Sequence, residues 1–290
     1  KLAGTWEQLG NKLPLNLKPE KAQAPPKRPQ DPKPPFPYLS EEIEFENKSA
    51  NITLAGTLTL PKGDGPFPAA ILISGSGPQN RDEEIMGHRP FAVIADHLTR
   101  EGIAVLRYDD RGVGESEGDF GNATTKDFAT DANAAWEFLS THAKINKEAI
   151  GMIGHSEGGY IAAMLAARDR KIAGIVSLAG PAVSGKEILI EQNRLLRAAQ
   201  GVPQQTLDWF MPLYAELTDI ALNQEGLEKA RLESKAALDR RLSSAPLQLR
   251  LAGAVLAQEV DAIAKQLQSD WMKFFLAHDP AEDWRRTRCR

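Results

Sequence analysis

Ile150-Gly151-Met152-Ile153-Gly154-His155-Ser156-Glu157-Gly158-Gly159-Tyr160 is the stretch whose reading decides the fold. A short apolar run enters it, and a helical pattern over 157–168 leaves it. In G-x-S-x-G between a strand and a helix, the serine occupies a sharp turn with strained backbone angles. Its neighbours must be glycine because a side chain there would clash. The turn lifts the hydroxyl out of the sheet and sets a helix N-terminus beside it. The expectation is an unusual, positive φ at Ser156 and a hydroxyl that faces a cleft.

Upstream, Ile43 and Phe45 alternate with acids, and Ile52, Leu54, Leu58 and Leu60 alternate again after a polar turn, the pattern of an antiparallel hairpin. The apolar runs 68–73, 103–108 and 172–178 read as fully buried strands. Helical patterns lie between them at 90–101, 125–142 and 157–168. Strands alternating with helices imply right-handed crossovers and a mostly parallel sheet covered on both faces. Ligands of such sheets bind outside the carboxyl ends of the strands.

Two further motifs fall at such ends. Ser74-Gly75-Ser76-Gly77-Pro78 follows the strand that ends at Ile73. Its glycines permit a tight turn with exposed N–H groups, and acyl transfer needs two such donors where charge develops on a carbonyl oxygen. The backbone N–H groups of Ser76 and Glu157 are assigned to that oxyanion hole. Tyr108-Asp109-Asp110-Arg111-Gly112-Val113-Gly114-Glu115-Ser116 is glycine-rich and charged. It has no G-K-[ST] and no helix directly after the glycines, so it reads as a loop held by Asp–Arg pairing rather than a phosphate or metal site.

Together, Gly75-Ser76-Gly77-Pro78-Gln79-Asn80-Arg81-Asp82, Gly87-His88-Arg89-Pro90-Phe91, Asp109-Asp110-Arg111-Gly112-Val113-Gly114-Glu115-Ser116 and Gly154-His155-Ser156-Glu157-Gly158-Gly159 resemble the α/β-hydrolase superfamily. The resemblance is to its bacterial esterase and serine-aminopeptidase-like branch. It implies an α/β-hydrolase fold: a mostly parallel sheet with an antiparallel N-terminal hairpin and a helical cap insertion. It also implies a serine hydrolase that cleaves small-molecule carboxylic esters through an acyl-enzyme on Ser156, without cofactor or metal. An aminopeptidase or amidase of the same fold is the alternative; Glu157 or Glu115 would then have to bind a substrate ammonium. A non-catalytic binding protein on the hydrolase scaffold is another.

From 184 onward strand patterns vanish. Segments 186–200, 204–222, 227–242 and 247–268 carry apolar residues at helical spacing, punctuated by Gly201, Pro203, Gly226 and Pro246. By resemblance they form the cap, with Trp209, Phe210, Met211, Leu213 and Tyr214 either lining the pocket or packing the cap core. The expected organisation is 1–40, the tail of a preceding domain plus a proline-rich linker; 41–183, the hydrolase core; 184–278, the cap; and 279–290, the start of a return to the core. Nine of the 19 prolines fall between Pro14 and Pro37, which favours extended backbone there.

In α/β-hydrolases the triad runs Ser, acid, His along the chain. The resemblance therefore expects the acid, the histidine and the last strands beyond Arg290, so that the chain lacks them. Five histidines are present. His97 lies on a helix face, His142 ends a helix before a strand, and His278 closes the cap segment. His155 adjoins Ser156 with its ring expected to turn away from the serine. His88 follows the loop at 74–78. His88 and His155 are the possible pocket histidines, and His88 is the one weighed as a base.

Composition adds exclusions. The chain has 290 residues, is 42% hydrophobic and carries a net charge of -4. That charge gives no electrostatic basis for nucleic-acid binding. The single cysteine, Cys289, excludes an internal disulfide and a cysteine-based metal cage. No apolar run approaches the length of a membrane span.

Overall fold

The computed structural model describes residues 2–8 and 11–17 by their backbone, and 28–224 and 226–289 in full. It divides into two units, Lys1–Asp31 and Pro32–Arg290. The first contains an antiparallel pair, β1 (Leu2–Gln8) and β2 (Asn11–Leu17), with Leu2 opposite Leu17. Residues 18–27, part of the expected proline-rich linker, lie outside the described residues.

The second unit opens with the hairpin β3 (Leu39–Asn47) and β4 (Ile52–Leu60). Then come β5 (Phe67–Ile73), α1 (Pro90–Arg100), β6 (Ala104–Tyr108), α2 (Thr125–Thr141), β7 (Ile145–His155), α3 (Glu157–Ala166) and β8 (Ile175–Leu178). The sheet order is β3-β4-β6-β5-β7-β8. β4 pairs antiparallel with β6, whereas β5, β6, β7 and β8 run parallel. The mostly parallel sheet with an antiparallel start is the α/β-hydrolase architecture the motifs imply. β8 forms one edge, and Val176 and Leu178 on it are exposed.

Period-2 alternation sorts the strands' side chains to two faces. Ile71, Ile73, Leu106, Ile150 and Met152 pack with Leu139 of α2 and Tyr160 and Ile161 of α3. Leu72 and Val105 point the other way and meet Phe91 and Ala95 of α1. Each fully buried leucine or isoleucine contributes about 1.5–3 kcal/mol. α1 begins at Pro90, whose missing N–H costs nothing in the first turn.

After β8 the chain is helical: α4 (Gly185–Ala199), α5 (Gln204–Asn223), α6 (Leu227–Leu242), α7 (Leu247–Leu251), α8 (Gly253–Leu267), α9 (Asp270–Ala277) and α10 (Pro280–Arg286). Ser184 starts α4 with a capping box, its hydroxyl accepting from the Glu187 N–H while the Glu187 carboxylate accepts from the Ser184 N–H. The single helix expected over 247–268 is two. Ala252, at ψ 6, ends α7 and precedes Gly253, a poor helix former at the break. The Trp284 indole N–H donates to the Pro181 carbonyl at 3.1 Å, and its helix, α10, packs against α3 of the core. The Asp279 carboxylate caps α10 by accepting from the Ala281 N–H, and Pro280 fills its first turn.

Candidate active site

The parallel strands deliver their carboxyl ends to one edge of the sheet. Loop 74–79 follows β5, loop 109–116 follows β6, Ser156 follows β7 and Ala179 follows β8. Ser156 has φ 51 and ψ -116 and caps the N-terminus of α3. Its N–H donates to the Leu178 carbonyl at 2.8 Å, and its own carbonyl accepts from Gly159 at 3.0 Å. The strained turn is therefore held on both sides. Gly154 and Gly158 are required by space: a Cβ on the first would overlap the Gly158 carbonyl, and one on the second the Ile73 carbonyl. Among the described residues the Ser156 hydroxyl has no hydrogen-bond partner.

Three buried acids hold loop 74–79. Asp110 accepts from the Ser74 hydroxyl at 2.6 Å and from the Gln79 N–H at 2.9 Å. Glu83, 2% exposed and at φ 50, accepts from the Gly75 N–H at 2.8 Å. Glu157, 3% exposed, accepts from the Ser76 hydroxyl at 2.8 Å. The N–H groups of Ser76 and Glu157, assigned together from sequence, have no hydrogen-bond partner among the described residues. The loop lies directly on the elbow: a Cβ built on Gly75 would stand 3.2 Å from Ser156 Cβ and 3.2 Å from His155 Nδ1. Burial raises the Asp110 pKa to about 7, aided by the charges of Asp131 and Glu157.

A cleft of about 770 Å³ opens over this edge. Gly75, Ser76, Glu83, His155, Ser156 and Glu157 line its floor. Ile188, Leu189, Leu195 and Leu196 of α4 and Trp271, Met272 and Phe275 of α9 line its other side. α4 turns Ile188, Leu195 and Leu196 to the cleft, while Leu189 and Ile190 pack against the helical cores around Leu213 and Leu207. The Trp271 indole N–H donates to Glu157 at 2.8 Å, on the oxygen that also accepts from the Thr125 hydroxyl at 2.6 Å. The glutamate after Ser156 thus joins loop 74–79, α2 and α9.

The structure places the other sequence-derived candidates as follows. His155 lines the cleft, and its Nδ1 lies 2.7 Å from Glu83 Oε1, so its ring does not turn away from the site. His88 is exposed on a turn closed by a two-way backbone bridge with Ile85, outside the cleft lining. His278 pairs with Asp283 at 2.8 Å, stacks on Phe274 and meets the Tyr160 ring at a tilt of 47°. Phe210, Met211 and Tyr214 pack with Leu207, and Leu213 joins a second helical core with Leu217 and Leu238; none of them lines the cleft. Glu115, weighed as an ammonium site, pairs with Arg81 away from the cleft.

Loop 109–116 is a buttress. Asp109 accepts from Arg81 Nη2 at 2.7 Å, and Asp131 accepts from Arg111 Nε at 2.7 Å. Asp82 pairs with Arg89 and Arg107, and burial lowers the Arg107 pKa to about 10. Among the described residues no group of three or more His, Cys, Asp or Glu is placed to hold a metal ion. No helix among them is long and apolar enough to cross a membrane.

Glu83 and Trp271 escaped the sequence reading. Glu83 follows the quoted Asn80-Arg81-Asp82 directly, and nothing local to it in the sequence marks it as buried. Trp271 carried none, because its partner is 114 residues away.

Comparison with known proteins identifies the family. Esterase EstD of Thermotoga maritima is 35% identical over 162 residues, 56% of this chain and 38% of that protein. The uncharacterized protein PA2218 of Pseudomonas aeruginosa is 31% identical over 137 residues, 47% of this chain and 35% of that one. The chain thus spans well under half the length of these curated relatives. Among solved structures, PA2218 superposes with a TM-score of 0.46 at 23% identity, covering 65% of this chain and 61% of that one. The Pyrococcus furiosus esterase Pf2001 gives 0.45 at 23%, covering 58% and 57%. The serine aminopeptidase S33 family model matches residues 88–271, more than half of the sequence and inclusive of Ser156 and the helices through α8. By that match the chain belongs to the serine aminopeptidase S33 family of α/β-hydrolases.

Proposed function

We propose that the protein is a serine hydrolase of carboxylic esters and that Ser156 is its nucleophile. The observation that carries this reading is the unpartnered Ser156 hydroxyl on a positive-φ elbow, beside two unpaired backbone N–H groups, in one cleft. Ser156 Oγ attacks the ester carbonyl, and the N–H groups of Ser76 and Glu157 receive the negative charge that develops on its oxygen. The proton lost by Ser156 Oγ passes to the departing alcohol oxygen, and water then adds to the acyl-enzyme carbonyl, releasing the carboxylic acid and returning a proton to Ser156 Oγ. The N-terminus of α3 adds its positive dipole end to the same point.

The helical residues 184–278 act as the cap in this reading. Their contribution to the cleft is mainly aliphatic and aromatic, which suits an uncharged, apolar acyl group. An aminopeptidase needs a free carboxylate for the substrate ammonium. Glu157 is already shared among Ser76, Thr125 and Trp271, Glu115 lies outside the cleft, and Glu191, which lines it, is paired with Arg194. The esterase name of the Thermotoga maritima relative favours the same choice. The test is turnover of short-chain p-nitrophenyl esters by the protein and by Ser156→Ala. Turnover that Ser156→Ala removes supports the proposal and places a general base within these residues. Equal turnover by both proteins overturns the proposal.

A further inference from the structure

One buried acid beside Ser156 has no part in the steps above. Glu83 Oε1 accepts the Gly75 N–H at 2.8 Å and lies 2.7 Å from His155 Nδ1. A single carboxylate oxygen therefore joins the loop after β5 to the last residue of β7. The segment carrying Glu83 is itself fixed. The Glu83 N–H donates to the Asn80 carbonyl at 2.8 Å, the Asn80 side chain accepts from the N–H groups of Asp82 and Glu84, and Asp82 is anchored by Arg89 and Arg107. Glu83 adopts φ 50, a backbone state that costs a non-glycine residue energy and persists where the surroundings enforce it. The strain is spent on aiming a carboxylate at the elbow.

The consequence lies in the sequence of N–H directions. With the Gly75 N–H committed to Glu83 and the Gln79 N–H committed to Asp110, the intervening Ser76 N–H is left unpaired in the loop that lines the cleft. We propose that Glu83 is a positioning residue for acyl transfer: it fixes the Gly75 peptide and the His155 ring so that the Ser76 N–H meets the carbonyl oxygen attacked by Ser156. This rests on the reading of Ser156 as the nucleophile. Glu83 acts through the loop and does not touch the reacting atoms.

The experiment compares the protein with Glu83→Ala and Glu83→Gln. Glutamine retains an oxygen that accepts from both Gly75 and His155; alanine removes it. Loss of a well-placed oxyanion donor costs about 10²–10³ in turnover. Glu83→Ala is therefore expected to lower kcat on a p-nitrophenyl ester about 10²-fold with KM changed less than about threefold, and Glu83→Gln to recover most of that loss. Amide hydrogen exchange at Gly75 supplies a readout independent of turnover: protected in the protein and in Glu83→Gln, fast in Glu83→Ala. Should Glu83→Ala fail to fold, wild type against Glu83→Gln still decides: protection and near-normal kcat in Gln support the role, and a kcat as low as in a Ser156 variant refutes it. Fast Gly75 exchange with unchanged kcat, or a loss confined to KM, overturns the positioning role alone. Absence of Ser156-dependent turnover in the unsubstituted protein, with Gly75 protected, overturns the esterase reading and leaves Glu83 a structural acid.

Discussion

The elbow region and the helical segment after residue 184 are specified in different ways. At the elbow, positions are fixed atom by atom. Gly154 and Gly158 have no room for a Cβ, Ser156 holds φ 51, and three buried acids divide the polar groups of one six-residue loop among themselves. The helical segment is specified by pattern. Its apolar residues need only recur at helical spacing, and several stay outside any core, with Leu232 68% and Leu251 78% exposed. Covalent chemistry needs reacting atoms held within fractions of an ångström, whereas a surface that receives an apolar group needs only area and shape.

The largest expected break in this contrast is Gly158→Ala. Its Cβ would overlap the Ile73 carbonyl at the end of the central strand β5 and the Ser74 carbonyl just after it, neither of which can yield cheaply. Destabilisation above about 4 kcal/mol in chemical denaturation, or loss of folded protein, is expected. A normal denaturation midpoint would mean that the elbow is far less tightly packed than described.

Next in size is the pH dependence set by Asp110. Folded Asp110 keeps its proton up to about pH 7, whereas the unfolded chain releases it near 3.8. Unfolding therefore releases a proton between these values, and stability falls as pH rises through that window. Relative to Asp110→Asn, the protein should lose on the order of 3 kcal/mol of stability between about pH 4 and pH 8. Parallel stability curves for the two proteins would show that the buried carboxyl is not the source.

Trp271→Phe probes the junction of the two regions. It keeps an aromatic ring against Phe275 and deletes the N–H that Glu157 receives. A stability loss of about 1–2 kcal/mol is expected, because a donor to a buried carboxylate disappears. Leu232→Ser, on the exposed side of α6, should change stability by less than about 0.5 kcal/mol. A large loss there would show that the helical segment is as tightly specified as the elbow.

The same contrast explains what was legible in the sequence. G-x-S-x-G and the strands on either side could be read because their constraints are local: a glycine demanded by a neighbour four residues away, a side-chain alternation of two. The unusual φ at Ser156 and the convergence of loop 74–79 on it follow directly from that reading. The direction of the His155 ring did not, because it depends on Glu83, 72 residues earlier. Helix positions after 184 followed from apolar spacing, yet the face lining the cleft did not. The aromatic-rich Trp209–Tyr214 run drew attention, but it packs between helices, and α4 and α9 supply the lining. Periodicity marks a buried stripe without saying which partner buries it. The break at Ala252 lay inside an unbroken periodic pattern for the same reason.

The central claim is that Ser156 is a reactive nucleophile, and covalent labelling tests it most directly. The protein and Ser156→Ala are each treated with a fluorophosphonate, and the products are read by intact mass and peptide mapping. The account predicts one adduct per chain, located on Ser156 and absent from Ser156→Ala. An adduct on another residue, or equal labelling of the two proteins, would contradict it.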